Sequence, residues 1–137
     1  MSDTISHHEA LIYVMVIMSA VDGSMSDEEL VRIGNIVKHV PVFRDFEDEK
    51  LVGVAEACAT LSGRENSLQE ILNLVAISLP EKLYETAYAL AVEIAAADLE
   101  IVQEELRLLE LLRDKLGLDK LTIAAIERGA RARHQVL

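Results

Sequence analysis

Apolar residues are concentrated in two long runs of the chain. The first covers twelve residues from Ala10 to Val21 without a charge, and the second, Tyr88–Ala97, contains one charge, Glu93, which is expected to reach the bundle surface. A helix that is apolar on every side is typical of the centre of a bundle and not of its surface. These runs therefore predict two central helices, one over about His7–Val21 and one over about Pro80–Ala97.

The rest of the chain shows apolar positions at helical spacing on one face and polar positions on the other. Strong helix formers dominate and alternation of period two is almost absent, so the chain is predicted to be all-α. Five further helices are expected over about residues 26–40, 47–61, 67–79, 102–116 and 119–133. Because no linker or low-complexity segment interrupts the pattern, we expect residues 1–137 to form a single domain, a seven-helix bundle. Residues 7–61 and 80–133 would be its pseudo-symmetric halves, related by an internal duplication.

Several helix starts carry capping residues. Ser26 with Glu29, and Ser67 with Glu70, have the spacing of a capping box, in which side-chain and backbone groups bond reciprocally. Pro80 suits the first position of a helix, where no backbone N–H is needed. These residues predict where three of the helices begin.

Leucine positions predict the buried faces of the last two helices. The expected inward-facing leucines are Leu106, Leu109, Leu112 and Leu116 in one helix and Leu121 in the next. Gly117 lies between the two helices and is a typical helix stop.

Two acidic segments follow the two central helices. The first contains Asp22, Glu28 and Glu29, and the second, 76 residues later, contains Asp98, Glu104 and Glu105. Each segment is similar to the last part of an EF-hand calcium loop, but apolar residues occupy the first ligand positions, so neither copy is complete. If the central helices run in the same direction, the two segments meet and form one oxygen-rich site, which suits Ca²⁺ or Mg²⁺ better than Zn²⁺. If the helices run in opposite directions, no shared site forms.

The same acids also have a purely structural explanation. An Asp or Glu in the first turn stabilises a helix by about 0.3–1 kcal/mol through the helix dipole. Glu29 in addition completes the predicted capping box with Ser26. The residues alone leave helix capping and metal binding both open.

The two acidic segments carry a resemblance to a known family. Ala20-x-Asp22-Gly23-x-Met25-Ser26-x-x-Glu29 and Ala96-Ala97-Asp98-x-x-Ile101-x-x-Glu104-Glu105-Leu106 are similar to motifs of the TerB family of tellurite-resistance-associated helical proteins. The resemblance extends over about residues 7–133 and implies a pseudo-duplicated bundle of seven helices. It also implies a divalent cation bound by the acidic residues Asp22, Glu28, Glu29, Asp98, Glu104 and Glu105. Leu99 departs from the glycine usual in the second motif, so the geometry of that turn is expected to differ.

Family context suggests where such a domain works. Related domains occur in a membrane-anchored DnaJ-like co-chaperone, so the resemblance implies a protein partner in a membrane-associated stress-response complex. The domain itself is expected in the cytoplasm, because the chain start lacks the basic residues of a signal peptide. The Ala10–Val21 run is also too short to cross a bilayer, so no direct membrane insertion is expected.

The net charge of the chain limits the classes of molecule that it can bind. The 137 residues carry a net charge of −11, with −14 in residues 1–110 and +3 in residues 111–137. An acidic body repels nucleic acid and anionic lipid, and it attracts cations or a basic partner. The basic cluster Arg128, Arg131 and Arg133 lies at the end of the last predicted helix, where the helix dipole favours cations.

Thiol and imidazole chemistry is not indicated. Cys58 is the single cysteine, which excludes an internal disulfide, and it is expected in the core. The four histidines, His7, His8, His39 and His134, show neither H-x-x-x-H nor H-E-x-x-H spacing, so no zinc site is predicted.

These observations favour a non-enzymatic interaction module whose acidic face holds a divalent cation. The alternative is a metal-free acidic scaffold or adaptor that docks a basic protein. A hydrolase with paired carboxylates is a third hypothesis, and it requires a deep pocket between the two acidic segments. The sequence identifies neither the partner nor the oligomeric state.

Overall fold

The chain is all-α, as predicted. A computed structural model describes residues 4–21, 23, 25–97 and 101–137. These residues form seven α-helices and no strand: α1 (His7–Ala20), α2 (Asp27–His39), α3 (Leu51–Ser62), α4 (Ser67–Ser78), α5 (Tyr84–Ala96), α6 (Gln103–Leu116) and α7 (Lys120–Arg133). Short 3₁₀ turns cover Pro41–Phe43, Asp48–Lys50 and Glu81–Leu83. In the part of the chain described, no helix combines the length and apolar character needed to cross a membrane.

The two apolar runs form the centre of the bundle. Every residue of α1 from Ala10 to Ser19 is buried. This helix packs mainly against α3, α4 and α5, while α5 also packs against α6 and α7. Both predicted central helices are therefore central, and the contact between α1 and α5 joins the first and second halves of the sequence.

The central helices run in the same direction. The Ile5 N–H, just before α1, donates to Ser78 Oγ at the end of α4 over 3.1 Å. The Tyr84 hydroxyl, at the start of α5, donates to the Ala76 carbonyl of the same α4 end over 2.9 Å. Because α1 and α5 both begin beside this point and pack against each other, they are parallel and not antiparallel. The helices that follow them, α2 and α6, consequently begin at the same end of the bundle.

The predicted capping box of α4 does not form. Asn66 is the N-cap residue, with a left-handed backbone (φ 60°), and its side chain makes no capping bond. Ser67 is the first residue of the helix, and its hydroxyl instead donates to the Ser62 carbonyl over 3.0 Å. The tight turn after α3 draws this hydroxyl backwards, away from the N–H of Glu70.

Two helices begin later than predicted because 3₁₀ turns precede them. The third helix begins at Leu51 and not at Glu47, and the fifth begins at Tyr84 and not at Pro80. In both cases three residues already turn with the tighter 3₁₀ hydrogen bonding that is common at helix ends.

The buried face of α6 is shifted from the predicted one. The buried leucines are Leu108, Leu109, Leu112 and Leu116, whereas Leu106 is 46% exposed. With 3.6 residues per turn, the buried stripe also contains Glu105, and Leu106 lies about 100° around the helix from it. Leu121 is likewise on the outside, at 81% exposure, because α7 packs through Ile123, Ile126 and Ala130.

Cys58 lies in the core, as predicted. Its side chain is fully buried between α3 and α1, with Sγ 4.0 Å from the Tyr13 carbonyl. Burial raises the pKa of the thiol to about 12, so it stays protonated near neutral pH. A buried, protonated thiol is a poor nucleophile and a poor metal ligand.

Candidate functional site

Two of the predicted site residues lie in the first turn of α2. Ser26 is the N-cap, and its hydroxyl accepts the Glu29 N–H over 3.2 Å. Glu29 returns the bond, because its Oε1 accepts the Ser26 N–H over 2.9 Å. The predicted capping box is confirmed, with Glu29 half-buried and Glu28 exposed. Glu29 thus uses one carboxylate oxygen to fix the start of α2.

The other two described site residues lie in the first turn of α6. Here Val102 is the N-cap, and its N–H donates to Glu105 Oε1 over 3.1 Å. A valine side chain has no acceptor, so only one half of the capping box is made. Glu105 is 4% exposed, whereas Glu104 beside it is exposed. The second segment therefore points one carboxylate inwards and one to solvent.

The predicted Asp22 and Asp98 lie outside the described residues. Among the residues that are described, the four glutamates do not bring three metal-ligating groups within 4.8 Å of one another. The shared cation site therefore stays a prediction. Such a site requires the two central helices to run in the same direction. They do, so α2 and α6 begin at the same end of the bundle.

The donor chemistry of this end fits a hard cation. The described parts of both segments offer carboxylate oxygens and neither imidazole nor thiolate, which is the ligand type that Ca²⁺ and Mg²⁺ prefer. A carboxylate has two oxygens with about four lone pairs, so accepting one N–H leaves it able to coordinate an ion.

A buried hydroxyl marks the same end. Ser19, in the last turn of α1, is 3% exposed, and its Oγ has no hydrogen-bond partner within the described part of the protein. Leaving a buried hydroxyl unbonded costs about 1–3 kcal/mol. The first acidic segment begins three positions further on, at Asp22.

Comparison with known proteins identifies the family of the chain. The family model "Tellurite resistance protein TerB" matches residues 8–128, which include both acidic segments and all helices except the first residue of α1 and the end of α7. The chain belongs to the TerB family. No curated protein and no solved structure shows a significant match. The chain is thus a helical TerB domain related to tellurite resistance.

One cavity of the TerB domain borders the start of α6, where Ile101, Gln103 and Leu106 line it. Cavities of about 510, 690 and 280 Å³ are found beside the end of α2, between α5, α6 and α7, and beside the start of α1. None of these three is lined by Glu28, Glu29, Glu104 or Glu105. The hydrolase hypothesis gains no support from them.

The basic end of α7 has a structural role in the TerB domain. Arg133 Nε donates to Glu93 Oε1 over 2.8 Å, and His134 Nε2 lies 2.7 Å from the other oxygen of Glu93. Burial alone would raise the pKa of Glu93, but the hydrogen bonds from His134 and Arg133 outweigh it and lower this pKa. Glu93 reaches the bundle surface, as predicted, and Arg133 is paired there with Glu93.

One group of metal-ligating residues is absent from the predictions. His7 and His8, at the start of α1, lie beside Asp45, with one ligand atom from each residue within 4.8 Å of the others. Asp45 belongs to the loop between α2 and α3, 37 positions after His8. No local spacing signals such a group, because the fold alone brings the loop to the helix.

Proposed function

We propose that this TerB domain is a non-enzymatic interaction module that binds a divalent cation, Ca²⁺ or Mg²⁺, where α2 and α6 begin. The observation that carries the proposal is the shared direction of α1 and α5. It brings the two acidic segments to one end of the bundle, which is the arrangement that a shared site requires.

The acidic residues would have two different roles at the ion site. Glu29 and Glu105 fix the helix starts through their backbone hydrogen bonds, while Glu28 and Glu104 are exposed and available to the ion. Asp22 and Asp98 complete the proposed ligand set. The cation would supply positive charge that neutralises the clustered carboxylates.

Ion binding would then control recognition. Neutralised carboxylates lose their mutual repulsion, so both helix starts are held in one arrangement that a protein partner recognises. We place this partner in a membrane-associated stress-response complex on the cytoplasmic side, in keeping with a role in tellurite resistance. The acidic surface directs the domain away from nucleic acid.

The alternative function is a metal-free acidic scaffold that docks a basic protein. The capping roles of Glu29 and Glu105 favour it, since they give these residues a structural purpose without any ion. In that case binding to a basic peptide weakens with salt and does not depend on divalent ions.

Thermal unfolding of chelator-treated protein tests the proposal. An ion at 100 times its dissociation constant stabilises the fold by about 2.7 kcal/mol, which raises Tm by several degrees in a domain of this size. We expect this rise with Ca²⁺ or Mg²⁺, and no rise with either ion in the Asp22→Asn/Asp98→Asn variant.

A matched control removes equal charge at the opposite end of the bundle. Glu81→Gln/Glu85→Gln changes two exposed acids at the start of α5, and it should retain the full rise in Tm. If neither Ca²⁺ nor Mg²⁺ stabilises the parent protein, cation binding at these segments is wrong and the acidic scaffold is the surviving function.

A further inference from the structure

We infer that His7, His8 and Asp45 form a second metal site, selective for a transition-metal ion of the Zn²⁺ class. This site lies at the start of α1, whereas the acidic segments follow the ends of α1 and α5. It does not depend on the function proposed above.

The three side chains already have nearly the spacing of a coordination shell. One ring nitrogen from each histidine and one oxygen of Asp45 lie within 4.8 Å of one another. His8 Nε2 and Asp45 Oδ1 are 3.1 Å apart. Tetrahedral zinc, with bonds of about 2.0–2.1 Å, separates its ligand atoms by about 3.4 Å. Asp45 is 81% exposed, so its carboxylate can rotate to adjust its distances to the two rings.

The ring of His8 is held in place before any ion arrives. Its centroid lies 5.8 Å from the Phe43 ring and 5.4 Å from the Phe46 ring, and its side chain is only 12% exposed. The His7 ring lies against it, with a centroid distance of 4.0 Å. A ligand fixed by packing loses little freedom when it coordinates a metal, which favours binding.

The group has a donor set that differs from the acidic helix starts. Two imidazoles and one carboxylate suit Zn²⁺ and its neighbours, whereas Ca²⁺ and Mg²⁺ require mostly oxygen. The Val42 carbonyl, 3.0 Å from His8 Nε2, provides a further oxygen close to the group. Three side-chain ligands and one carbonyl or water complete a tetrahedral shell.

Coordination requires a change of tautomer at His8. Without a metal, Nε2 carries the proton and donates it towards the Val42 carbonyl and Asp45. Zn²⁺ binds the Nε2 lone pair, so this proton moves to Nδ1 through solvent and the ring stays neutral. The bond to Asp45 is replaced by a shared ion, and no other group changes its charge.

There is room for the ion and its water. A cavity of about 280 Å³ adjoins His8 and Asp45, and it is also lined by Glu9, Glu47 and Lys50 but not by His7. Glu9 adds negative charge next to the ligands and opposes the positive end of the α1 dipole, whereas Glu47 is paired with Lys50 over 3.5 Å.

A bound ion would tie the loop between α2 and α3 to α1. Asp45 is 81% exposed and is held by its contact with His8, so the loop has only weak polar attachment at this point. Zn²⁺ would therefore regulate the stability of this loop, independently of the cation at the other end of the bundle.

Calorimetric titration of the full chain with Zn²⁺ after chelator treatment tests the site. We expect one Zn²⁺ per chain, with affinity lowered at least about tenfold in His7→Ala and in Asp45→Asn, since even outer-shell changes cost 10–100-fold. Both substitutions are at the surface and leave the core intact. In NMR spectra, Zn²⁺ should shift the ring resonances of His7 and His8 first.

Two controls separate this site from other zinc ligands. His39→Ala removes an exposed histidine whose Nδ1 bonds only to its own helix, and it should leave Zn²⁺ affinity unchanged. Asp22→Asn/Asp98→Asn should also leave it unchanged, and excess Ca²⁺ should not displace Zn²⁺. The inference is overturned if the parent protein does not bind Zn²⁺, or if His7→Ala and Asp45→Asn bind it as tightly as the parent.

Discussion

The starts of α2 and α6 are capped in two different ways. Both place a glutamate in the third helical position, and both glutamates accept the N–H of the N-cap residue, over 2.9 and 3.1 Å. At α2 the cap is Ser26, the box is complete and Glu29 is half-buried. At α6 the cap is Val102, the hydroxyl is missing and Glu105 is buried.

The difference shows how each of the two helix starts is stabilised. A serine cap contributes about 1 kcal/mol to a helix, so α6 begins without that stabilisation. Its carboxylate lies instead in the packed interior, where an acid is tolerated only when its charge has partners. The glutamate at the third helical position is thus a half-buried cap at α2 and an interior contact at α6.

Removing the two glutamates should give the largest contrast. We expect Glu105→Ala to lower the free energy of unfolding by about 2–3 kcal/mol, because it leaves a cavity and an unbonded N–H in a packed region. Glu29→Ala should cost about 1 kcal/mol, because water replaces the exposed bond. Urea unfolding of chelator-treated protein measures both values, with Glu104→Ala as the exposed control. Equal costs at the two positions would show that burial of Glu105 has no energetic weight.

Exchanging the caps should have a smaller effect of opposite sign at the two helices. Ser26→Ala removes the hydroxyl that accepts the Glu29 N–H and should destabilise the domain by about 1 kcal/mol. Val102→Ser supplies the missing acceptor and should stabilise it by about 0.5 kcal/mol. The same urea titrations measure both changes. A loss of stability in Val102→Ser would mean that the valine side chain is needed for packing at this turn.

Glu93 extends the comparison to a carboxylate with charged partners, and we expect the smallest effect there. Its pKa is lowered in the folded protein, so its contribution to stability is present above the ordinary value of 4.5 and is lost as the pH falls through the folded pKa. Glu93→Gln should therefore destabilise the domain at neutral pH and flatten the decline in stability towards acid. Exposure of Arg133 and His134 to solvent keeps the effect small. Parallel acid limbs in the parent and the variant would contradict it.

Helix ends with specific side-chain chemistry were predictable from the sequence. Ser26 with Glu29 at α2 and Gly117 after α6 act through short-range bonds or a left-handed backbone, so they are visible in the residues themselves. The start of α4 was not predictable, because its N-cap residue, Asn66, lies in a turn whose shape depends on the preceding helix, α3. The buried face of α6 was predicted correctly except for Leu106, since leucine occupies both the buried and the exposed sides of this helix.

The candidate sites depend more strongly on the tertiary structure. The sequence placed Glu28, Glu29, Glu104 and Glu105 at helix starts, but whether those starts share an end depends on the direction of α1 and α5. That direction is fixed by contacts at the end of α4, far from the acids in the sequence. The group of His7, His8 and Asp45 depends wholly on how a loop folds back on a helix.

The packing of α1 against α5, which is distant in the sequence, has a consequence for synthesis of the chain. The ribosome produces α1 first, but its cover, α5, is completed only at Ala96. At about 5–20 residues per second, the most apolar helix waits about 4–15 s for its main partner. During that interval α3 and α4 are the available packing partners of α1. Nascent chains shorter than about 96 residues should therefore be the species that chaperones bind.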